Sequence, residues 1–179
     1  MRIVVTLLGP DRPGIIETFS KLVAEQGGRW CESRVLQAEG QFGGVFMAEV
    51  DDERAPTLES QLRNRFDEHL TVALARGIPT PEAAPINALK IRLFCGDRPG
   101  VLHEFSEVCV ARDINILELE TNLSPAPMSG LMIFEIEAVC DVPTSCDRGE
   151  LASAMEAIGD DVLVEFTDRN LKKRFAHLF

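Results

Sequence analysis

The stretches GPDRPG, residues 9–14, and CGDRPG, residues 95–100, decide how this chain folds. Each follows an apolar, β-branched run and precedes apolar residues at helical spacing. Sliding the chain against itself so that Asp11 meets Asp97 also brings Leu7 onto Leu93, Phe19 onto Phe105 and Ser20 onto Ser106. This is an internal duplication. Two copies are too few for a solenoid, which needs about three repeats to cover one continuous core, so each copy is expected to be a domain in its own right.

Each copy reads as the same series of elements. In the first, RIVVTLL is a buried strand, and Ile15, Ile16, Phe19, Leu22 and Val23 then recur at helical spacing. WCESRVLQA and FGGVFMAEV flank Glu39-Gly40-Gln41, a hairpin signal, and Leu58, Leu62 and Phe66 mark a second helix before TVALA. The second copy repeats the order through LKIRLFC, PGVLHEFSEVCVAR, INILELETNL, GLMIFEIEAVC, RGELASAMEAI and VLVEF. The predicted fold class is α+β: two tandem ferredoxin-like βαββαβ domains, each an antiparallel four-stranded sheet with two helices on one face. The boundaries are residues 1–77 for the first domain, 78–87 for a proline-rich linker and 88–167 for the second domain. Residues 168–179 read as a C-terminal helical tail with Leu171, Phe175 and Leu178 facing inward. Ser124–Gly130 reads as an irregular loop.

Charge narrows the function classes. The formal net charge of -11 opposes direct DNA or RNA binding, because nonspecific affinity for nucleic acid comes largely from Lys and Arg neutralising phosphates. Sheet-mediated RNA binding also needs exposed aromatics in a basic surround, and this chain has no tyrosine and one tryptophan. No apolar run approaches the roughly 20 residues of a membrane span, so a cytoplasmic protein without a membrane partner is expected. Cys31, Cys95, Cys109, Cys140 and Cys146 sit in mainly apolar settings with no Cys-x-x-Cys pair, and read as reduced structural thiols with no metal site. His69, His103 and His177 fall in no recognisable catalytic motif, so no catalytic residue and no cofactor is expected.

The Asp-Arg-Pro-Gly turn itself suggests small-anion chemistry. Asp11 and Asp97 lie where a side-chain oxygen is expected to cap a helix, and proline suits a first helical turn. Gly14 and Gly100 carry no Cβ, which lets a ligand carboxylate approach backbone N–H groups at a helix start. Arg12 and Arg98 can each add a charge-assisted hydrogen bond. The alternative is an ordinary helix start with both arginines in water.

Tandem units with a DRPG turn, and DINI at 113–116 opening the second strand of the second copy, resemble ACT domains, which are small-molecule-sensing regulatory modules. SRVLQAEGQFGGVFMAEV, NLSPAPMSG and LMIFEIEAVCDVP narrow the resemblance to two-ACT proteins of the glycine cleavage system transcriptional repressor family, over about residues 2 to 167. The resemblance implies a non-enzymatic regulator responsive to an amino acid such as glycine or serine. It implies action through a DNA-binding activator protein and pairing of ACT units within the chain or in a homodimer. The site it implies lies where the first turn of one unit meets the second strand of its neighbour. Here that means Asp97, Arg98, Pro99 and Gly100 with Asn115, and Asp11, Arg12, Pro13 and Gly14 in the other copy, where Arg29 replaces the asparagine. The alternative function is an ACT-type interaction or oligomerisation module without a ligand.

Overall fold

The computed structural model describes residues 1–66, 70–78, 87–127 and 129–168. The expected linker therefore lies outside the described residues except at its two ends. The expected tail helix, with Leu171, Phe175 and Leu178, lies outside them almost entirely, as do His69 and His177. The chain divides into two compact units, Met1–Pro81 and Glu82–Phe179.

The first unit runs β1 (Arg2–Pro10), α1 (Ile15–Glu25), β2 (Arg29–Ala38), β3 (Gln41–Glu49), α2 (Ala55–Phe66) and β4 (Thr71–Arg76). The second runs β5 (Ala88–Gly96), α3 (Val101–Val110), β6 (Asn115–Pro125), β7 (Met132–Asp141), α4 (Arg148–Glu156) and β8 (Leu163–Asp168). Both sheets are four-stranded and antiparallel, in the orders β2-β3-β1-β4 and β6-β7-β5-β8. This is the ferredoxin-like arrangement expected from the sequence, with β3 or β7 splitting a βαβ unit.

Strand alternation builds each core. Ile3, Val5 and Leu7 face one side of β1 and pack with Phe19 and Val23 of α1 and Leu58 and Leu62 of α2. Leu89, Ile91 and Leu93 do the same beside Phe105, Cys109, Leu151 and Met155. The duplicated Leu7 and Leu93, Phe19 and Phe105 are all fully buried. Ser20 Oγ and Ser106 Oγ each donate to a backbone carbonyl three residues back, Glu17 O at 3.0 Å and His103 O at 2.7 Å. Ile16, expected on the inward face, is 47% exposed. The buried positions are Ile15, Phe19 and Val23, four residues apart, and Ile16 sits about 100° round the helix from that line.

The two cores fill equivalent space differently. Leu7 lies opposite Gly44 and Val5 opposite Phe46, whereas Leu93 lies opposite Ile136 and Ile91 opposite Ala138. Large and small residues have exchanged places along the strand. A Cβ on Gly44 would come 2.6 Å from the Phe46 ring, so that ring occupies the glycine's side-chain space. The Phe46 ring also packs, tilted, against Phe19 at 4.9 Å between centroids, and Phe19 meets Trp30 edge-on at 5.0 Å.

The hairpins differ too. Glu39 and Gly40 both have positive φ, 49° and 75°, giving the two-residue turn between Ala38 and Gln41. In the second unit Ser124 and Pro125 still pair with Ile133 and Met132, so the irregular connection begins later than expected, at residue 126.

Candidate functional site: the two Asp-Arg-Pro-Gly turns

Both turns leave the end of a central strand and enter a helix through a left-handed glycine. Gly14 has φ 95° and Gly100 φ 98°, and each is the residue before the first helical position. Any residue with a Cβ is disfavoured there, which explains why the motif ends in glycine. The expected capping by Asp11 and Asp97 does not occur, for neither α1 nor α3 has a side-chain cap. The glycine takes the cap position, which leaves the aspartates three residues ahead of it. Instead their backbone N–H groups tie the turns to the neighbouring hairpins, Asp11 to Gly40 O at 2.9 Å and Asp97 to Met132 O at 3.0 Å.

The arginines of the two turns differ. Arg98 makes a bidentate pair with Glu104 of α3, Nη1 to Oε1 at 2.9 Å and Nη2 to Oε2 at 2.5 Å. Its Nη2 also donates to Ile158 O at 2.7 Å, beyond the end of α4. The hydrogen bond from Arg98, ahead of its charge, holds the Glu104 carboxyl below the usual glutamate range, and Glu104 in return raises Arg98. Beside this pair, Asp161 Oδ2 accepts from Gly96 N–H at 2.7 Å. Side chains of the second unit thus already occupy its turn.

In the first unit the residue aligned with Glu104 is Thr18, which cannot reach back as a carboxylate. Arg12 is exposed and has no hydrogen-bond or ion-pair partner among the described residues. With Pro13, Gly14, Thr18, Asn64 and Arg65 it lines an open cavity of about 590 Å³ between the start of α1 and the end of α2. Thr18, Asn64 and Arg65 also line an adjoining groove of about 420 Å³ along the same two helices.

Asn115 stands apart from its own unit's turn. It opens β6 opposite Asp141, which in turn lies opposite Ala88, whereas the turn follows Gly96 at the other end of β5. Eight strand positions at about 3.3 Å each separate them by roughly 26 Å. Within the second unit, then, Asp97, Arg98, Pro99 and Gly100 come together without Asn115. Arg29, its counterpart, donates to Glu49 at 3.0 Å.

All five cysteines are free of disulfides; Cys95, Cys109 and Cys140 are buried, Cys31 and Cys146 less so. The hydrogen bond with Cys109 and burial together push the Cys140 thiol up. His103 is 74% exposed at its side chain, with Nε2 3.6 Å from Glu107 Oε1. Among the described residues no group of His, Cys, Asp or Glu is arranged to hold a metal ion, and no helix is long and apolar enough to cross a membrane.

Sequence reasoning located the turns and missed what completes them. Glu104 and Thr18 were visible as a mismatch between the duplicated copies, although only the left-handed glycine shows that this helical position faces the arginine. Asn64 and Arg65 carried no signal, because it is the docking of α2 that brings them to the turn.

Residues 1–72 match the ACT domain family. The chain is 24% identical over 157 residues to the glycine cleavage system transcriptional repressor of Escherichia coli strain K12, covering 87% of this chain and 83% of that protein. The Shigella flexneri protein of the same name matches equally. A crystal structure of an unknown protein from Galdieria sulphuraria shares the fold with a TM-score of 0.81 at 20% identity, over 94% of this chain and 98% of that one. The crystal structure of a putative glycine cleavage system transcriptional repressor follows at TM-score 0.66 and 19% identity, with the same coverage. The duplicated units, their matching topology and these relationships identify a tandem ACT architecture, distantly homologous to the glycine cleavage system transcriptional repressors.

Proposed function

We propose that this chain is a non-enzymatic regulator of the glycine cleavage system that responds to an amino acid, glycine or a serine-like one, and acts through a DNA-binding activator protein. The observation that carries the reading is the alignment with the repressors over 157 residues, 87% of the chain, which is too long to fall within one unit. The first turn supports it by presenting a Cβ-free backbone next to an arginine without an ion-pair partner among the described residues, a setting suited to a carboxylate. The net charge of -11 favours a protein partner over direct contact with DNA. The proposed organisation is two ACT units at 1–77 and 88–167 joined by a linker at 78–87, in a cytoplasmic protein whose units pair within the chain or in a homodimer. Ligand binding would shift that packing and so expose or hide the surface that contacts the activator, a coupling typically worth about 1–3 kcal/mol.

The test is a thermal-unfolding scan against a panel of amino acids led by glycine and serine. Ligand at about 100 times its dissociation constant stabilises by about 2.7 kcal/mol, and a chain of this size shifts by about 2–4 °C per kcal/mol. A rise of several degrees with one amino acid is expected. A flat panel favours the second reading, an interaction module without a ligand, which the internal pairing of Arg98 with Glu104 supports for the second unit.

A further inference from the structure

We infer that the outer face of the first unit's sheet, the one turned away from α1 and α2, is a homotypic interface that stacks on the same face of a second copy of this chain. The inference rests on the reading above for the pairing of units, and not for the ligand.

Strand alternation defines the face. Ile3, Val5 and Leu7 point into the core, so Val4, Thr6 and Leu8 of β1 point outward, and the register sets Met47, Val45 and Gly43 of β3 beside them. Leu36 of β2 lies next to Gly43. A Cβ on Gly43 would meet Leu36 Cδ1 at 3.6 Å and Leu8 Cδ1 at 4.0 Å, so the two leucines close over the glycine as one apolar ridge. That ridge is nevertheless open to water, with Leu8, Leu36 and Val45 54%, 62% and 44% exposed. Beside Val45 and Met47 the edge strand carries Arg34 and Glu32, which pair with each other at 3.6 Å and leave this flank without net charge.

The duplication shows what the same face carries when it is built for solvent. In the second sheet Lys90 and Arg92 stand where Val4 and Thr6 stand in the first, and Glu135 and Glu137 stand where Gly43 and Val45 do. These charges pair across the strands, Lys90 with Glu137 and Arg92 with Glu135, both at 2.7 Å. Arg92 also covers the ring of Phe94, the counterpart of Leu8, at 4.9 Å.

The contrast selects the occupant. Covering the charged outer face of the second sheet with leucine and valine would strip water from four ionised side chains and give them no new partner. The first sheet's own face brings apolar surface without that cost, and a two-fold axis makes one patch complementary to itself. Three outward residues on each of four strands outline about 400 Å² per copy. An interface of this size belongs with weak, reversible complexes, so the dimer should depend on concentration.

The experiment is sedimentation velocity on the full chain over a wide concentration range. The wild type should move from monomer towards dimer as concentration rises. Leu36→Glu and Val45→Glu should each weaken the dimer about tenfold or more, because like charges then enter from both copies. Leu119→Glu, at an exposed position on the helix side of β6 in the second unit, should leave it unchanged. Far-UV circular dichroism and Trp30 fluorescence check that the variants fold. A wild type that stays monomeric at every concentration would overturn the inference, as it would if the face were covered from within the chain. So would a dimer that survives both Leu36→Glu and Val45→Glu, or one that Leu119→Glu abolishes. The thermal scan with amino acids separates the two readings. A dimer with a flat panel leaves this interface standing and removes the amino-acid reading, whereas a stabilising amino acid with no dimer does the reverse.

Discussion

The two Asp-Arg-Pro-Gly turns share a backbone and differ in the fate of one side chain. Arg98 is held by Glu104 and by the end of α4, whereas Arg12 faces an open cavity beside Arg65. The difference comes from one position of the first helix, Thr18 against Glu104, and from the end of the second, where Ile158 O accepts from Arg98. The positions under the helices, Leu7 and Leu93, Phe19 and Phe105, are unchanged and fully buried in both units. Packing has thus preserved the shape of the turn while its charge pairing diverged.

The cores offer the strongest way to separate the units. Phe19 contacts both Trp30 and Phe46, and Trp30 is the sole tryptophan, so its fluorescence reports on the first unit. Phe19→Ala should cost about 3–5 kcal/mol and move the Trp30 transition in a urea titration to lower denaturant. Phe105→Ala should cost a similar amount from the second unit, visible by circular dichroism, while the Trp30 transition stays in place. If Phe105→Ala displaces the Trp30 transition equally, the two units unfold as one cooperative body and the comparison drawn between them loses its thermodynamic basis.

The glycines that close the two motifs should respond alike, with a smaller effect. Gly14 has nothing within 4 Å of an added Cβ, and Gly100 has only Glu104 Oε1 at 3.7 Å, an ordinary contact. The cost of alanine at either site is therefore conformational, about 1–2 kcal/mol for an L-residue forced into the left-handed region. Equal losses from Gly14→Ala and Gly100→Ala would show that the backbone of the turn is equivalent in both copies. A markedly larger loss at Gly100 would mean that the Arg98 pair depends on the turn's conformation in a way the first copy does not share.

The duplication made the fold legible. The hydrophobic spacing and the repeated motif placed every strand and helix that the structure describes. The errors lay where a local rule met a tertiary one. Asp11 and Asp97 suit a cap by residue type, but a left-handed glycine stands between them and the helix. Ile16 is apolar, yet α1 meets the sheet along Ile15, Phe19 and Val23. The same limit governs the site. A motif shows that an arginine is present at the turn, and only packing shows what that arginine reaches, since Ile158, Asn64 and Arg65 arrive from elements distant in sequence.

Acidification gives the smallest effect and bears most directly on the two arginines. Glu104 has a folded pKa below its ordinary value, because Arg98 donates a hydrogen bond to its ionised form. A group of this kind contributes stability that is fully present above the ordinary glutamate range and is lost as pH falls through the folded value. The side chains of Arg98 and Glu104 are 38% and 37% exposed, so solvent screens the pair and its contribution is modest. Glu104→Gln should therefore lower the unfolding midpoint of the second unit near neutrality and converge on the wild type in acid. Far-UV circular dichroism melts from about pH 7 to pH 3 would follow this, because Trp30 does not report on that unit. The first unit has no equivalent pair, so Thr18→Glu should introduce the same acid-sensitive increment there, read through Trp30. Parallel curves for wild type and Glu104→Gln across the whole range would mean that the pairing of Arg98 adds nothing to stability. The contrast between the two turns would then be one of geometry alone.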